Sequence, residues 1–479
     1  MRRQLFHKPV RLNQYLLLRR YASTSSVVTE LNSRGLVAQT TSQNLEKICN
    51  EQPITVYCGV DPSARSLHIG NLLPLITLLH FGIRGHKPIA LIGGATGSIG
   101  DPGGRATERR LLSQEELAVN EEGITRQVNR FFKTATAYAE DRCPQSTSEV
   151  QSPTVVNNIT WFREMGMLEF LRTVGKHAKV NTMLSRDSVS SRLNASQGIS
   201  FTEFTYQLLQ AHDFYTLNKE YGCRLQIGGS DQWGNIVAGI DMIQRRRAAA
   251  NSSEATDQVE DTKAEDDIFG LTIPLLTTPS GEKFGKSAGN AVWLDSELTS
   301  VYDFYQYFIR QPDTMVRQLL KMFTLLPQEK IDATMTEHEA DSSKRVAQRT
   351  LAREVTELVH GKDAVRQAEA VTSVLFDSDV GHLASEDVVA AFAKDPRLVR
   401  LSSREEGIGV PLTKLLAKNG RVKSRSEAER VLKTGGLYLN SSRITDPKRI
   451  LTDEDLVGND KKMAVVRMGS DNHTVIVLP

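Results

Sequence analysis

Apolar residues in the first half of the chain come in short unbroken runs, each closed by a turn. Thr55-Val56-Tyr57-Cys58-Gly59 stops at Asp61-Pro62, Pro88-Ile89-Ala90-Leu91-Ile92 stops at Gly93-Gly94, and Arg224-Leu225-Gln226-Ile227 stops at Gly228-Gly229. Runs this short, the first two of them without polar alternation, belong to strands covered on both faces. The segments after them change period. Over 67–81, Leu72, Leu75, Ile76 and Leu79 recur at helical spacing, with Pro74 close enough to the start to be tolerated in a first turn. A second helix is predicted from about 231 to 246. Strand, helix and strand in this order predict right-handed crossovers in a parallel sheet, with the glycine turns at the carboxyl ends of the strands, where ligands gather.

A helix predicted over 201–215 carries two stripes. Phe204, Leu208, Ala211 and Tyr215 form the apolar one, whereas Tyr206, Gln210 and Asp213 face elsewhere. A polar stripe of this kind suits a solvated face, and equally a socket in which a ring, an amide and a carboxylate hold a small polar ligand. From 300 to about 394 the pattern is mostly helical and reads as a separate unit. A linker over 402–409 leads to a small C-terminal unit with apolar positions at Leu412, Leu415, Leu416, Val422, Ala428, Val431 and Leu432. Its polar positions are basic: Lys414, Lys418, Arg421, Lys423, Arg425, Arg430, Lys433, Arg443, Lys448 and Arg449.

Composition narrows the picture. With 479 residues, 39% hydrophobic and 24% charged, the chain is globular and divides into two to four domains. A formal net charge of only +2 leaves any nucleic-acid affinity to local patches. Cys49, Cys58, Cys143 and Cys223 include no Cys-x-x-Cys pair, so neither a disulfide framework nor a structural metal is indicated, and a reducing compartment fits. No apolar run reaches the ~18 residues of a membrane span. The first residues hold Arg2, Arg3, Lys8, Arg11, Arg19 and Arg20, no acid before Glu30, and the polar end Ser23-Thr24-Ser25-Ser26. This composition resembles a mitochondrial transit peptide over 1–28; a secretory signal would need a longer apolar core. Residues 251–267, acidic apart from Lys263, read as a disordered surface insertion.

Two short segments carry chemistry suited to phosphate. In His68-Ile69-Gly70-Asn71 the two polar side chains lie three apart at a helix start, where unpaired N–H groups and the helix dipole attract anions and a glycine permits close approach. Lys283-Phe284-Gly285-Lys286-Ser287, flanked by Gly281 and Gly289, is a cationic loop fit for a polyphosphate.

Taken together with the blocks 93–102, 198–204 and 222–235, these segments resemble the tyrosyl-tRNA synthetases of the bacterial and mitochondrial type, a class I family, fungal mitochondrial members included. The resemblance runs from about 29 to the C-terminus. The family motifs written HIGH and KMSKS stand here at 68–71 and 283–287. The resemblance implies an α/β Rossmann-like catalytic domain over 29–298, a helical anticodon-binding domain over 299–398 and a small α+β RNA-binding domain over 409–479, similar to a fold named after a small-subunit ribosomal protein. It implies that Tyr57 and Asp213 bind the tyrosine hydroxyl, that Asp101, Tyr206 and Gln210 hold the ammonium group, that Asp61 belongs to the same pocket, and that Gln232 places the carboxylate. Cys58, Gly59 and Asp231 would lie along the ribose of ATP, and Ser63, His68, Gly70, Asn71 and Gly229 near its phosphates. Lys283 and Lys286, with Ser287, would clamp the pyrophosphate, and Mg²⁺ would travel on the ATP phosphates.

The implied reaction is attack of the tyrosine carboxylate on the α-phosphorus of ATP, followed by transfer to the 3′ end of mitochondrial tRNA(Tyr) in the matrix. Two positions depart from the motif names: Asn71 replaces a histidine, keeping a donor but not a titratable charge, and Phe284-Gly285 replaces Met-Ser. Lys414, Lys418, Arg421, Lys423 and Arg425 are the expected tRNA contacts. The family is homodimeric, which makes Phe131-Phe132 and Trp161-Phe162 candidate interface residues. A tryptophanyl enzyme is the nearest alternative, disfavoured because indole offers one donor to a pair of hydroxyl-directed groups. A role in intron RNA splicing would need a further basic surface, and the insertion is acidic.

Overall fold

The computed structural model describes residues 26–103, 110–143, 150–193, 198–254, 267–277, 284–287, 290–376, 380–392, 397–469 and 472–479. Nearly all of the expected presequence, and residues 255–266 of the acidic insertion, lie outside them. The chain forms two compact units, one ending at 300 and resuming over 307–359, the other made of 301–306 and 360–479.

The first unit is built on a six-stranded sheet of β1 (Gln39–Thr40), β2 (Thr55–Val60), β3 (Lys87–Ile92), β4 (Thr154–Asn157), β5 (Cys223–Gly229) and β6 (Phe269–Ile273) in the order β1-β6-β5-β2-β3-β4. All neighbours are parallel except β1 and β6. Connections run outward from β2 to β3 and β4, and then from β5 to β6 on the other side, so the direction reverses between β2 and β5. The carboxyl ends of those two strands, with Tyr57 opposite Gln226 and Cys58 opposite Ile227, are where an open α/β sheet leaves a crevice. The strands expected from the apolar runs are those found, the first two one residue longer and the third extended to Cys223–Gly229.

The helices differ more from expectation. Leu72–Ile83 begins after a 3₁₀ turn at Ile69–Asn71, because the Asn71 amide oxygen accepts the His68 backbone N–H at 3.0 Å and caps the turn. The helix expected over 201–215 continues to Tyr221, and the one expected from 231 to 246 spans Trp233–Glu254. Both stripes of the Phe201–Tyr221 helix are covered. Leu208 and Ala211 pack with Val174, Met183 and Met242, and Tyr206 and Asp213 are 5% and 2% exposed against the sheet side. The reading of the polar stripe as a solvated face is therefore overturned.

The helical stretch expected over 299–398 is shared between the units. Residues 307–359 belong with the sheet unit: Arg34 donates to the carbonyls of Lys321, Thr324 and Leu326, and Tyr138 and Arg142 on the long Gln114–Arg142 helix both reach Glu354. Phe131 and Phe132, offered above as interface residues, are 2% and 3% exposed and stack edge to face at 5.0 Å. They are core residues of this chain. The sequence pattern could not separate the two cases, since a buried ring pair and a docking ring pair look alike along a helix.

In the second unit, Val371, Val374 and Phe392 pack on Met463, Val465 and Val475 of a five-stranded sheet. Its strands are β9 (Leu398–Arg400), β10 (Leu437–Leu439), β11 (Ser442–Arg443), β12 (Met463–Met468) and β13 (Asn472–Val477). The expected apolar positions Leu412, Leu415, Leu416 and Leu432 fill its other core cluster. Of the five expected RNA contacts, Lys414 and Lys423 are exposed, and the backbone N–H of Lys423 donates to Glu427 Oε2 at 2.6 Å. Lys418 pairs with Glu406 at 3.4 Å and Arg425 with Glu429 at 3.0 Å, while Arg421 donates to Thr474 at 3.0 Å and so also braces β13.

Candidate active site

A cavity of about 600 Å³ opens at the carboxyl ends of β2 and β5. Tyr57, Cys58, Gly59 and Asp61 enter it from β2 and its turn, with Ser63, His68, Gly70 and Asn71 from the following segment. Asp101, Tyr206, Gln210 and Asp213 line the other side, and Gly229, Asp231 and Gln232 the end of β5. Residues drawn from four separate stretches of sequence thus share one wall. Lys283 lies outside the described residues; Lys286 and Ser287 form a two-residue strand, β7, paired with β8 (Asn290–Ala291). Phe284 and Gly285, between the lysines, do reach the cavity.

At the deep end the Tyr57 hydroxyl is buried and has no hydrogen-bond partner among the described residues. Burial, then the neighbouring Asp213, holds its pKa well above the usual phenol value. Asp213 accepts from Trp161 Nε1 at 2.9 Å and from Asn158 Nδ2 at 3.0 Å. Burial pushes its carboxyl up to about 8 against the opposing effect of those two donors. A neutral phenol and a carboxyl with a spare lone pair therefore face a pocket able to take a hydroxyl that both gives and receives a hydrogen bond.

Asn158, fully buried, organises this end. Its Oδ1 accepts the Ala95 N–H at 2.7 Å, and its Nδ2 serves both Asp213 and, at 3.0 Å, Thr96 Oγ1. Thr96 in turn donates to Asp61 Oδ1 at 2.7 Å, whose Oδ2 accepts from the Tyr206 hydroxyl at 2.7 Å. Two carboxylates are thus held in one network. Alongside, Gln232 donates to Asp101 Oδ2 at 2.6 Å and accepts from Gln210 at 3.2 Å and Asn235 at 3.1 Å, and Gln210 Oε1 is buried without a partner among the described residues. Carboxylates and orphaned acceptors here suit a substrate ammonium group, which brings three donors.

At the shallow end the chemistry turns to anions. The Asn71 cap consumes its amide oxygen, so its Nδ2 is the atom left to donate, at the N-terminus of the Leu72–Ile83 helix. His68 sits beside Trp293 with ring centroids 6.2 Å apart. Cys58 is buried, its thiol pushed up to about 12, so it acts as a small neutral wall and not as a nucleophile.

Sequence reasoning missed Thr96, Asn158, Trp161 and Asn235 as working parts of the site. Trp161 appeared only as an interface candidate; its indole N–H is instead committed to Asp213. The one available signal was position, since Asn157-Asn158 closes β4 beside β3, but nothing in the polarity of that segment marks it.

Gly93 shows how tightly the network is built. A Cβ there would lie 2.0 Å from Asp61 Oδ1 and 2.4 Å from Thr96 Oγ1. Gly93→Ala is expected to lose about 1–3 kcal/mol in urea unfolding through overpacking, and to weaken substrate binding as Asp61 is displaced.

The family model for class I tRNA synthetases (W and Y) matches residues 49–377, and that for the S4 domain matches 410–457. A tyrosine–tRNA ligase of Geobacillus kaustophilus is 42% identical over 94% of this chain and 99% of its own length. Crystal structures of C-terminally truncated mitochondrial tyrosyl-tRNA synthetases from Aspergillus nidulans and Coccidioides posadasii each superpose with a TM-score of 0.64, at 35% and 37% identity, covering 74% of this chain and 95% of theirs. With its glycine-rich strand ends, the carboxylates that line its cavity and a sequence match extending over most of its length, the chain belongs to the class I tRNA synthetases of the tryptophan and tyrosine family, and carries an S4 domain at its C-terminus.

Proposed function

We infer that this synthetase is a tyrosine–tRNA ligase, and propose that it charges mitochondrial tRNA(Tyr) in the matrix. The observation that carries the substrate is the unpartnered Tyr57 hydroxyl sharing a cavity with Asp213. A para-hydroxyl would donate to Asp213 and accept from Tyr57, whereas phenylalanine would leave the Tyr57 hydroxyl buried and unpaired and bring Asp213 no further donor, and indole could satisfy only the acceptor.

In this reading Asp101, Tyr206 and Gln210 bind the ammonium group, with Asp61 orienting Tyr206, and Gln232 fixes the carboxylate beside ATP. Cys58, Gly59 and Asp231 follow the ribose; Ser63, His68, Gly70, Asn71 and Gly229 follow the phosphates. The substrate carboxylate is the nucleophile, attacking the α-phosphorus in line and releasing pyrophosphate, so the enzyme supplies orientation and positive charge and forms no covalent bond. Lys283 and Lys286, with Ser287, supply that charge where it grows between the α- and β-phosphates, and Mg²⁺ accompanies ATP as part of the substrate. The adenylate then passes the tyrosyl group to the terminal adenosine of tRNA, held in part by the cations of the S4 domain. A matrix location is in keeping with the mitochondrial tyrosyl-tRNA synthetases named above and with the basic, acid-free N-terminal sequence, and a homodimer is what the resemblance to the tyrosyl family implies.

Pyrophosphate exchange into ATP tests the substrate. Exchange should depend on tyrosine and be marginal with equal phenylalanine or tryptophan; support by tryptophan alone would overturn the reading. Import of the full chain into isolated mitochondria, with removal of its N-terminus, checks the location.

A further inference from the structure

The peptide between the two motif lysines has a partner that the sequence motif does not contain. The Gly285 N–H donates to the Tyr307 hydroxyl at 3.0 Å, and the Gly285 carbonyl accepts the Val292 N–H at 2.8 Å. Both sides of this residue are therefore pinned just before Lys286 enters β7. Gly285 holds φ at +95°, and a Cβ there would lie 3.3 Å from the Gly70 backbone nitrogen and 3.3 Å from Ile69 Cβ. Its backbone abuts the turn that carries His68 and Asn71, and Val292 in turn accepts the Ile69 N–H at 3.0 Å. Phe284 packs its ring edge to face on Tyr307 at 5.4 Å and against Phe323 at 5.7 Å, and both Phe284 and Phe323 line the cavity. Burial pushes the Tyr307 phenol up to about 12, so it stays neutral across the working range of pH.

We propose that Tyr307 is a positioning residue for tyrosine activation: its hydroxyl fixes the orientation of the Phe284–Gly285 peptide, and with it the path by which the backbone enters Lys286. This rests on the reading of the cavity as a site of tyrosyl-adenylate formation. The ring and the hydroxyl do different work. The ring supplies part of the wall against which Phe284 packs, and the hydroxyl alone aligns the peptide plane, because a two-point restraint at Gly285 leaves little freedom for rotation about its φ and ψ.

Tyr307→Phe keeps the ring contacts and removes only the acceptor. In tyrosine-dependent pyrophosphate exchange the full-length variant should lose about tenfold in kcat, the worth of one buried hydrogen bond felt where charge develops. KM for tyrosine should stay within twofold of wild type, since Tyr57, Asp213 and the ammonium site are untouched. A kcat within twofold of wild type would overturn the proposal, as would a parallel rise in KM for tyrosine, which marks general disorder of the cavity. Wild-type protein lacking tyrosine-dependent exchange would instead defeat the reading of the cavity itself, so the two failures are distinguishable.

Discussion

Replacing Asp213 by alanine is expected to collapse the preference for tyrosine over phenylalanine, lowering the ratio of their kcat/KM values by roughly 10²–10³. The loss is large because three donors depend on this carboxylate: the substrate phenol, the Trp161 indole and the Asn158 amide, the last two at 2.9 and 3.0 Å. Tyr57→Phe removes one acceptance from a neutral donor and should reduce the ratio by only about tenfold. The measurement is pyrophosphate exchange with both amino acids over a concentration series. An unchanged ratio in Asp213→Ala would show that the hydroxyl is read elsewhere. A pH series adds a signature. The Asp213 carboxyl sits at about 8 in the empty cavity, and a phenol donating to it stabilises the charged form and lowers that value. Tyrosine binding then releases a proton. Affinity for tyrosine is fully present above the empty-cavity value and is lost as pH falls toward the lower, occupied one, so KM for tyrosine should fall between pH 6 and 9 while KM for phenylalanine stays nearly flat.

The second large effect is expected at Asn158, which contacts no substrate in the reading above. Asn158→Ala strands the Ala95 N–H and removes donors from Thr96 and Asp213 in a place fully closed to water. The expected loss is about 3 kcal/mol in chemical unfolding, from one unsatisfied buried donor and two missing hydrogen bonds. Tyrosine-over-phenylalanine preference should drop as well, because Asp213 loses one of the two donors that orient it. Stability near wild type would mean that the network has repacked around the missing amide and that the geometry at Asp213 is not set by Asn158.

The glycine-ended apolar runs, the helix start at His68 and the long matching blocks were legible because they are local. A buried parallel strand has to be apolar without interruption, a turn at its end has to admit close approach, and an anion site at a helix N-terminus needs only a few consecutive residues. The same locality explains the errors. Phe131 and Phe132 present the same spacing whether they dock a partner or close a core, and only the packing of the Gln114–Arg142 helix decides between them. The polar stripe of Tyr206, Gln210 and Asp213 suited a solvated face or a ligand socket, until the fold placed all three on the wall of the cavity.

What the sequence alone determined is the family, the order of elements and the residues whose motifs sit on consecutive positions. The tertiary structure decided the rest: that Asn158 bridges Asp213 to Thr96 and Asp61, that Trp161 serves Asp213, that the helical stretch divides near 359, and that Tyr307 holds Gly285. These are contacts between residues 22 to 62 positions apart, and a side-chain hydrogen bond leaves no periodicity in the chain that makes it. Burial sets their strength, and burial is a property of the folded whole.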